Sequence, residues 1–431
     1  MHSRPLLITA IVLPLAAAPA GAVRYRIDTW AGGGAGDGTL VGDGRAATDG
    51  VLNHPSGLVR NRRGDVYVAD HDNARVRRIA RRGRMRVIET IAGTGVHGST
   101  GDGGPARDAR FVLPTGLALT RQGDLLVVDA GNDREGNTVR RIDARGIVHR
   151  FAGRSAAPPG DGGTWGPAVE ASLHTPLRAA VARNGDVYVV ELNNHRIRVV
   201  RDATGILEPF AGSGAAGDAG DGGPAVDARL ASPAGVAVDR RGVVYVADFG
   251  NHRIRMVTPD GVIQPLAGTG VRTGSLDGEG GDPRDDRNDG VAAGATFSKP
   301  TGVALDAHGA LLVADQGNHV VRRIVPRRGE RLSPDAAVET IAGAGLEGFS
   351  GDGGDALAAR LSIPTDVLPL RGGRLLVADR GNHRLRILVP VRRTLCRPSC
   401  NDGNPRTIDR CTPAVGCTHA AAASRAAGAG R

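Results

Sequence analysis

The stretch Pro233-Ala234-Gly235-Val236-Ala237-Val238-Asp239, Gly242-Val243-Val244-Tyr245-Val246-Ala247-Asp248, Asn251-His252-Arg253-Ile254-Arg255 decides the fold, because its pattern occurs six times along the chain. The other copies open at Pro55, Pro114, Pro176, Pro300 and Pro364, a period of about sixty residues. Gly235 to Asp239 and Val243 to Asp248 are too short for helices and rich in β-branched residues, so both read as strands. Asp239-Arg240-Arg241-Gly242 reads as the hairpin turn between them. The second strand is apolar on both faces, as in Leu311-Leu312-Val313-Ala314 and Leu375-Leu376-Val377-Ala378, which requires neighbours packed above and below. The third alternates, with Ile254 and Met256 pointing one way and Arg253 and Arg255 the other. Repeated units of short strands bury their faces on one another and form an array.

A fourth strand ending in Ala-Gly follows five of the units: Glu89-Thr90-Ile91-Ala92-Gly93, His149-Arg150-Phe151-Ala152-Gly153, Glu208-Pro209-Phe210-Ala211-Gly212, Gln264-Pro265-Leu266-Ala267-Gly268 and Glu339-Thr340-Ile341-Ala342-Gly343. The sixth unit lacks one downstream. Its copy stands at the other end of the chain, as Asp28-Thr29-Trp30-Ala31-Gly32. Such an arrangement describes a ring in which the first strand completes the last blade and leaves no exposed sheet edge. The expected fold is all-β: a six-bladed β-propeller closed by an N-terminal strand, with a short disulfide-rich C-terminal segment.

The formal charge of +10, carried almost wholly by Arg, invites a nucleic-acid reading. The N-terminus opposes it. Met1-His2-Ser3-Arg4 is a short positive start, Leu6 to Ala18 is apolar, and Ala20-Gly21-Ala22 offers small residues for cleavage before Val23, so residues 1–22 read as a secretory signal peptide. An uncleaved signal anchor is the alternative. No later segment approaches the roughly 20 apolar residues that spanning a membrane needs, so no transmembrane segment is expected in the mature chain. The expected location is secreted, extracellular or at the cell surface, with the periplasm as alternative. Aromatic residues are 3% of the chain, and Tyr67, Tyr188 and Tyr245 fall inside second strands, which leaves no interleaved rings for base stacking. No nucleic-acid partner is expected.

The repeat, with its Asp-x-x-Asn-His-Arg-Ile-Arg ending, resembles the NHL repeat over roughly residues 27–390, as in secreted bacterial proteins. It departs from the pattern at Asp133-Arg134-Glu135-Gly136, inserted in the second unit, at Glu191 in the third, and at Ala74 of Asn73-Ala74-Arg75 in the first. Some relatives of this fold are zinc lyases whose ligand His follows a blade-opening Pro; the corresponding residues here are Ser56, Thr115, Leu177, Ala234, Thr301 and Thr365, so that ligand does not carry over. The strands nearest the axis read Gly57-Leu58-Val59, Gly116-Leu117-Ala118, Ala179-Ala180-Val181, Gly235-Val236-Ala237, Gly302-Val303-Ala304 and Asp366-Val367-Leu368. They are nearly all apolar, and Asp366 alone stands out as a candidate metal ligand. No catalytic residue is assigned.

His195, His252, His319 and His383 occupy the same turn of different blades, so they read as satisfying backbone groups there and not as ligands converging on one ion. The strand-ending Asp70, Asp129, Glu191, Asp248, Asp315 and Asp379 read alike, accepting bonds from their own turn or pairing with a third-strand Arg. Arg75, Arg77, Arg196, Arg198, Arg253, Arg255, Arg384 and Arg386 read as solvated strand faces whose stems cover apolar neighbours.

The links between blades carry Gly101-Asp102-Gly103-Gly104, Gly160-Asp161-Gly162-Gly163, Gly220-Asp221-Gly222-Gly223 and Gly351-Asp352-Gly353-Gly354. Each reads as a blade connector, followed by a Leu230-type plug; the alternative is that Asp102, Asp161, Asp221 and Asp352 take part in binding Ca²⁺ or anions. The acidic fifth link, with Asp277, Glu279 and Asp282, is a candidate recognition element or a solvated insertion. No obligatory cofactor is implied.

Four domains are expected: a signal at 1–22, the propeller at 23–391, a Cys-rich module at 392–419 and a disordered tail at 420–431. Cys396, Cys400, Cys411 and Cys417 favour disulfides in an exported chain, with three pairings open. The segment resembles the short Cys-rich repeat of slime-mould and bacterial surface proteins, with Arg406 where that pattern expects Cys. The leading function is a scaffold whose loop-rich face binds another protein or an extracellular polymer. The alternative is a metal-dependent lyase or hydrolase centred on the channel.

Overall fold

The computed structural model describes residues 23–33, 42–131, 135–154, 160–270 and 290–391, together with the backbone of 407–412 and 416–421. Residues 1–22, Asp277, Glu279, Asp282, Cys396 and Cys400 lie outside the described residues, as do the side chains of Cys411 and Cys417.

Six antiparallel sheets form the blades. Blade 1 runs outward through Pro55–Arg60, Val66–Asp70, Arg75–Arg82 and Met85–Ala92. The inner strands of blades 2 to 6 are Pro114–Leu119, Pro176–Val181, Gly235–Val238, Pro300–Leu305 and Pro364–Pro369. Each inner strand contacts that of the next blade, and that of blade 6 contacts that of blade 1, so the ring is closed. The outer strand of blade 6 is Tyr25–Gly32, antiparallel to Arg384–Pro390 with Tyr25 opposite Pro390. The strand from the far end of the sequence therefore seals the last blade, as its displaced position implied.

The core is divided among the seams, with one hydrophobic cluster per pair of neighbouring blades. Second strands such as Val244–Asp248 and Leu375–Asp379 are buried at every residue, which explains why they lack alternation. Phe111, Leu173, Leu230, Phe297 and Leu361 from the links are all buried in or beside these clusters and fill the gap between blades. Each such link also contains a single turn of 3₁₀ helix, as at Ala225–Asp227, whose first Ala is buried against the preceding outer strand.

The third strands differ from expectation. Arg77, Arg140, Arg198, Arg255, Arg322 and Arg386, one per blade, are among the largest fully buried side chains. Other arginines of these strands, among them Arg75, Arg78, Arg141, Arg196, Arg253, Arg323 and Arg384, keep solvent contact. The inward-facing set is buried because each arginine is the counter-ion of a buried acid, a pairing that alternation alone does not reveal.

Candidate functional site

Each strand-ending acid organises its own blade. In blade 4, Asp248 Oδ1 accepts from the Ala231 backbone N–H at 2.8 Å, and Oδ2 accepts from Asn251 at 2.8 Å. Arg255 lies 3.6 Å from Asp248 and donates through Nε to Asp221 at 2.9 Å and through Nη1 to the Arg229 carbonyl at 2.7 Å. Blade 6 repeats the set with Asp379, Ser362, Asn382, Arg386 and Asp352. Burial pushes the Asp248, Asp315 and Asp379 carboxyls up to about 6, against the pull of these donors and cations. Such buried networks need every partner, since an unpaired charge in this environment is costly.

The turn histidines join neighbouring blades. The residue before the next blade-opening Pro donates its N–H to His Nδ1: Ser232 to His195 at 3.0 Å, Lys299 to His252 at 3.1 Å, Ile363 to His319 at 3.1 Å and His54 to His383 at 3.2 Å. The departures from the repeat are compensated. Asn137 in blade 2 presents Oδ1 to Thr175 N–H at 2.8 Å, in the same left-handed conformation as the histidines. Blade 1 has Ala74 there, and the Leu113 N–H turns to Asp129, which already accepts from Val112. Burial pushes the Asp129 carboxyl up to about 7, opposed by these two bonds and by Arg140.

The third residue of each unit lies at the axis. It is Gly57, Gly116, Gly235 and Gly302 in four blades, where an added Cβ would meet the next blade's backbone, 2.6 Å from Thr115 O at Gly57 and 2.5 Å from Leu177 O at Gly116. Blades 3 and 6, opposite each other in the ring, carry Arg178 and Asp366 instead. Arg178 Nη1 donates to the carbonyls of Thr115 at 2.6 Å and Leu177 at 3.1 Å and reaches Ser56 Oγ at 3.3 Å; Nη2 donates to the Thr365 carbonyl at 3.1 Å. One guanidinium thus ties blade 3 to blades 1, 2 and 6 across the axis. Asp366 accepts from the N–H groups of Leu58 at 2.8 Å and Val367 at 2.9 Å.

Both side chains are partly reached by solvent yet surrounded by protein. Burial raises the Asp366 carboxyl while Arg178 opposes the rise, and burial lowers Arg178 while Asp366 opposes that. The buried hydroxyls of Thr115, Thr301 and Thr365 bond carbonyls of their own and the following blade, so they too stitch the ring.

Asp366 is where the sequence placed a polar group at the axis, but Arg178 was missed. The axis-lining residues of blade 3 read as Ala179-Ala180-Val181, one position past the register of the other five blades, and the alignment of Arg178 with the repeat glycine was the available signal. Among the described residues, no group of three or more His, Cys, Asp and Glu side chains could hold a metal ion. A second polar cluster lies at the seam of blades 6 and 1: His54 and His71 both bond the Asp72 carboxylate, and His383 packs 4.5 Å from the His54 ring.

The link aspartates lie apart from one another. Asp102, Asp221 and Asp352 bond the buried Arg140, Arg255 and Arg386 of their respective blades. Asp161 breaks the series. The turn of blade 3 equivalent to Gly101-Asp102-Gly103-Gly104 is Gly163-Thr164-Trp165-Gly166, three residues later than the sequence pattern placed it, as the bonds Gly104 N–H to Gly101 O and Gly166 N–H to Gly163 O show. Thr164 takes the place of the acid beside Arg198, and Trp165 takes a left-handed glycine position with φ 67° and 68% exposure. Asp161 instead lies 3.3 Å from Arg196.

The same chain turns up in comparisons with known proteins. The teneurin NHL domain family matches residues 214–276, and the NHL repeat family matches residues 52–79. Teneurin-3 of Mus musculus is 28% identical over 298 residues, 61% of this chain and 10% of that protein. NHL repeat-containing protein 2 of Bos taurus is 27% identical over 296 residues, 60% of this chain and 37% of that protein. The chain therefore spans about a tenth of the teneurin's length and little more than a third of the other relative's. An auxiliary nutrient binding protein from Bacteroides thetaiotaomicron superposes with a TM-score of 0.57 at 14% identity, covering 85% of this chain and 77% of its own, a likeness of fold. The repeats and the closed ring make this chain a six-bladed β-propeller, and the matched segments support reading its repeats as NHL repeats.

Proposed function

We propose that this propeller is an exported scaffold, working outside the cell or at its surface, whose link-bearing face binds another protein or an extracellular polymer. The observation that carries the reading is Arg178. Its two terminal nitrogens donate to protein carbonyls and to Ser56 across the axis, where a channel-centred enzyme would aim groups at a substrate. Asp366 is likewise held by two backbone N–H groups. The links, by contrast, expose apolar side chains at equivalent places, Val96 after Gly95 and Leu346 after Gly345, with Phe349 nearby at 44% exposure. Apolar groups on loops held by a rigid frame suit a docking face. Residues 1–22 would direct export, and the Cys-rich module at 392–419 would be stapled by disulfides outside the cell.

Two measurements test this. N-terminal sequencing of protein recovered from the extracellular and surface fractions is expected to begin at Val23. Capture from the surface fraction is expected to fall on V96D/L346D and to survive R240Q/R241Q on the opposite face. An intact Met1 in the cytoplasm, or capture indifferent to V96D/L346D, would refute the reading.

A further inference from the structure

The face opposite the links is built from the hairpin turns between inner and second strands and between third and outer strands. At the seam of blades 6 and 1 these turns gather arginines. Arg60 ends the inner strand of blade 1, and Arg62 and Arg63 follow in its turn; Arg371 and Arg374 occupy the equivalent turn of blade 6. Arg81, Arg84 and Arg86 surround the hairpin from Arg75–Arg82 to Met85–Ala92. Among the described residues none of these eight makes an ion pair. Of the carboxylates nearest in sequence, Asp65 accepts from Asn61 at 3.1 Å, and Glu89 is already shared by Arg78 and Arg82.

The two sets of turns meet across the seam, where Arg86 of blade 1 lies over the Trp30 ring of the outer strand of blade 6. Arg371 and Arg374 both hold Arg60 below its ordinary value, after burial, and Arg81 and Arg374 do the same to Arg86. Arg374 thus bridges the two blades. Like charges held this close oppose folding of the isolated protein. The buried arginines of the third strands each meet an acid, whereas among the described residues these eight do not.

We propose that this arginine cluster is a docking surface for a linear anionic glycan, bearing carboxylate or sulfate groups. Guanidinium forks pair with such groups bidentately. The choice of glycan over nucleic acid rests on the extracellular placement proposed above and on the surface itself. Of the aromatic rings near the cluster, Trp30 is 7% exposed and lies beneath Arg86, 5.1 Å from the guanidinium, so no base can stack on it, and the half-buried Tyr67 is tied by its hydroxyl to Asn61. A bilayer would want a broad apolar face beside the charge, and the hairpin tip offers only Met85 among the exposed large apolar residues.

The test compares binding of a heparin decasaccharide to the wild-type chain, to R62Q/R63Q/R371Q/R374Q at the seam, and to R240Q/R241Q on blade 4. Four exposed ion contacts, each modest, predict affinity about thirtyfold lower for the seam variant and under about twofold for the control. Wild-type affinity should fall between about 50 and about 200 mM salt, with a shallower slope for the seam variant. Thermal stability of the seam variant should hold or rise, because repulsion is relieved; should it fail to fold, R62Q/R63Q alone is expected to bind about fivefold more weakly. Equal losses at seam and control would assign the attraction to net charge and overturn the proposal. So would absence of decasaccharide binding, or tighter binding of duplex DNA or phosphatidylserine vesicles through the same arginines.

Discussion

Replacing Arg255 with Met separates a structural cation from a solvated one. The side chain and its partner Asp248 are both fully buried, 3.6 Å apart, and Arg255 also occupies Asp221 and the Arg229 carbonyl. Methionine fills similar volume but leaves Asp248 with only the Ala231 N–H and Asn251. Breaking one side of such a buried pair costs about 3–5 kcal/mol, a large part of the roughly 5–15 kcal/mol by which a domain is stable. R255M is therefore expected to lose about 4 kcal/mol in urea unfolding, and R255M/D248N to recover most of it, because a neutral amide needs no cation. The loss should also depend on pH. Burial already raises Asp248 to about 6, and removing Arg255 raises it further, so the folded variant favours the protonated acid more than the unfolded chain does. The deficit is then largest near about pH 8 and shrinks toward about pH 5 as the folded carboxyl takes up its proton. A deficit under about 1 kcal/mol, the range of an exposed pair, or one indifferent to pH, would mean that Arg255 is the solvated strand-face residue its sequence pattern suggested.

Three further outcomes follow from other parts of the ring. R178G restores the glycine of the repeat but removes donors to three carbonyls and to Ser56; unfolding measurements should show a loss of about 2–3 kcal/mol, partly recovered by D366N. His319 must be neutral to accept the Ile363 N–H and burial lowers its pKa, so its contribution is lost as pH falls below about 6.5, where the unfolded imidazole gains a proton. H319N, which copies Asn137, should keep the bond without titrating and gain on the wild type between about pH 7 and about pH 5; parallel stability curves would refute this. In the C-terminal hairpin Cys411 is the Cα partner of Cys417, a cross-strand placement suited to a disulfide, so peptide mapping of the oxidised protein should find that bridge and leave Cys396 with Cys400.

The architecture was legible because it is written redundantly. Six copies of one strand pattern set the count, and a fourth strand missing at the C-terminal end and present at Asp28–Gly32 gave the closure, now seen as Tyr25–Gly32 pairing with Arg384–Pro390. The roles of the acids and histidines were legible for a related reason: groups spread evenly round a ring cannot converge, so backbone partners were the remaining use for them. What was not legible was burial of the third-strand arginines. Period-2 alternation separates two faces, but in a blade both faces are covered by neighbours, so the polar row of Arg255 and Arg386 is as dry as the apolar one.

The axis was half legible for a different reason. A departure from a repeat is informative only in correct alignment, and reading the axis residues of blade 3 from Ala179, one position late, hid the fact that the glycine beside the axis is replaced twice, by opposite charges in opposite blades. Four glycines at that level exclude side chains because the next blade's carbonyl crowds them. A ring of six equivalent glycines would leave those carbonyls facing an open hole. Arg178 supplies hydrogens to them from one side and Asp366 balances its charge from the other, so two substitutions complete what six-fold repetition leaves unsatisfied. The consequence for the proposed scaffold is that Arg178 and Asp366 at the axis hold the ring together, and the proposal places binding on the two faces.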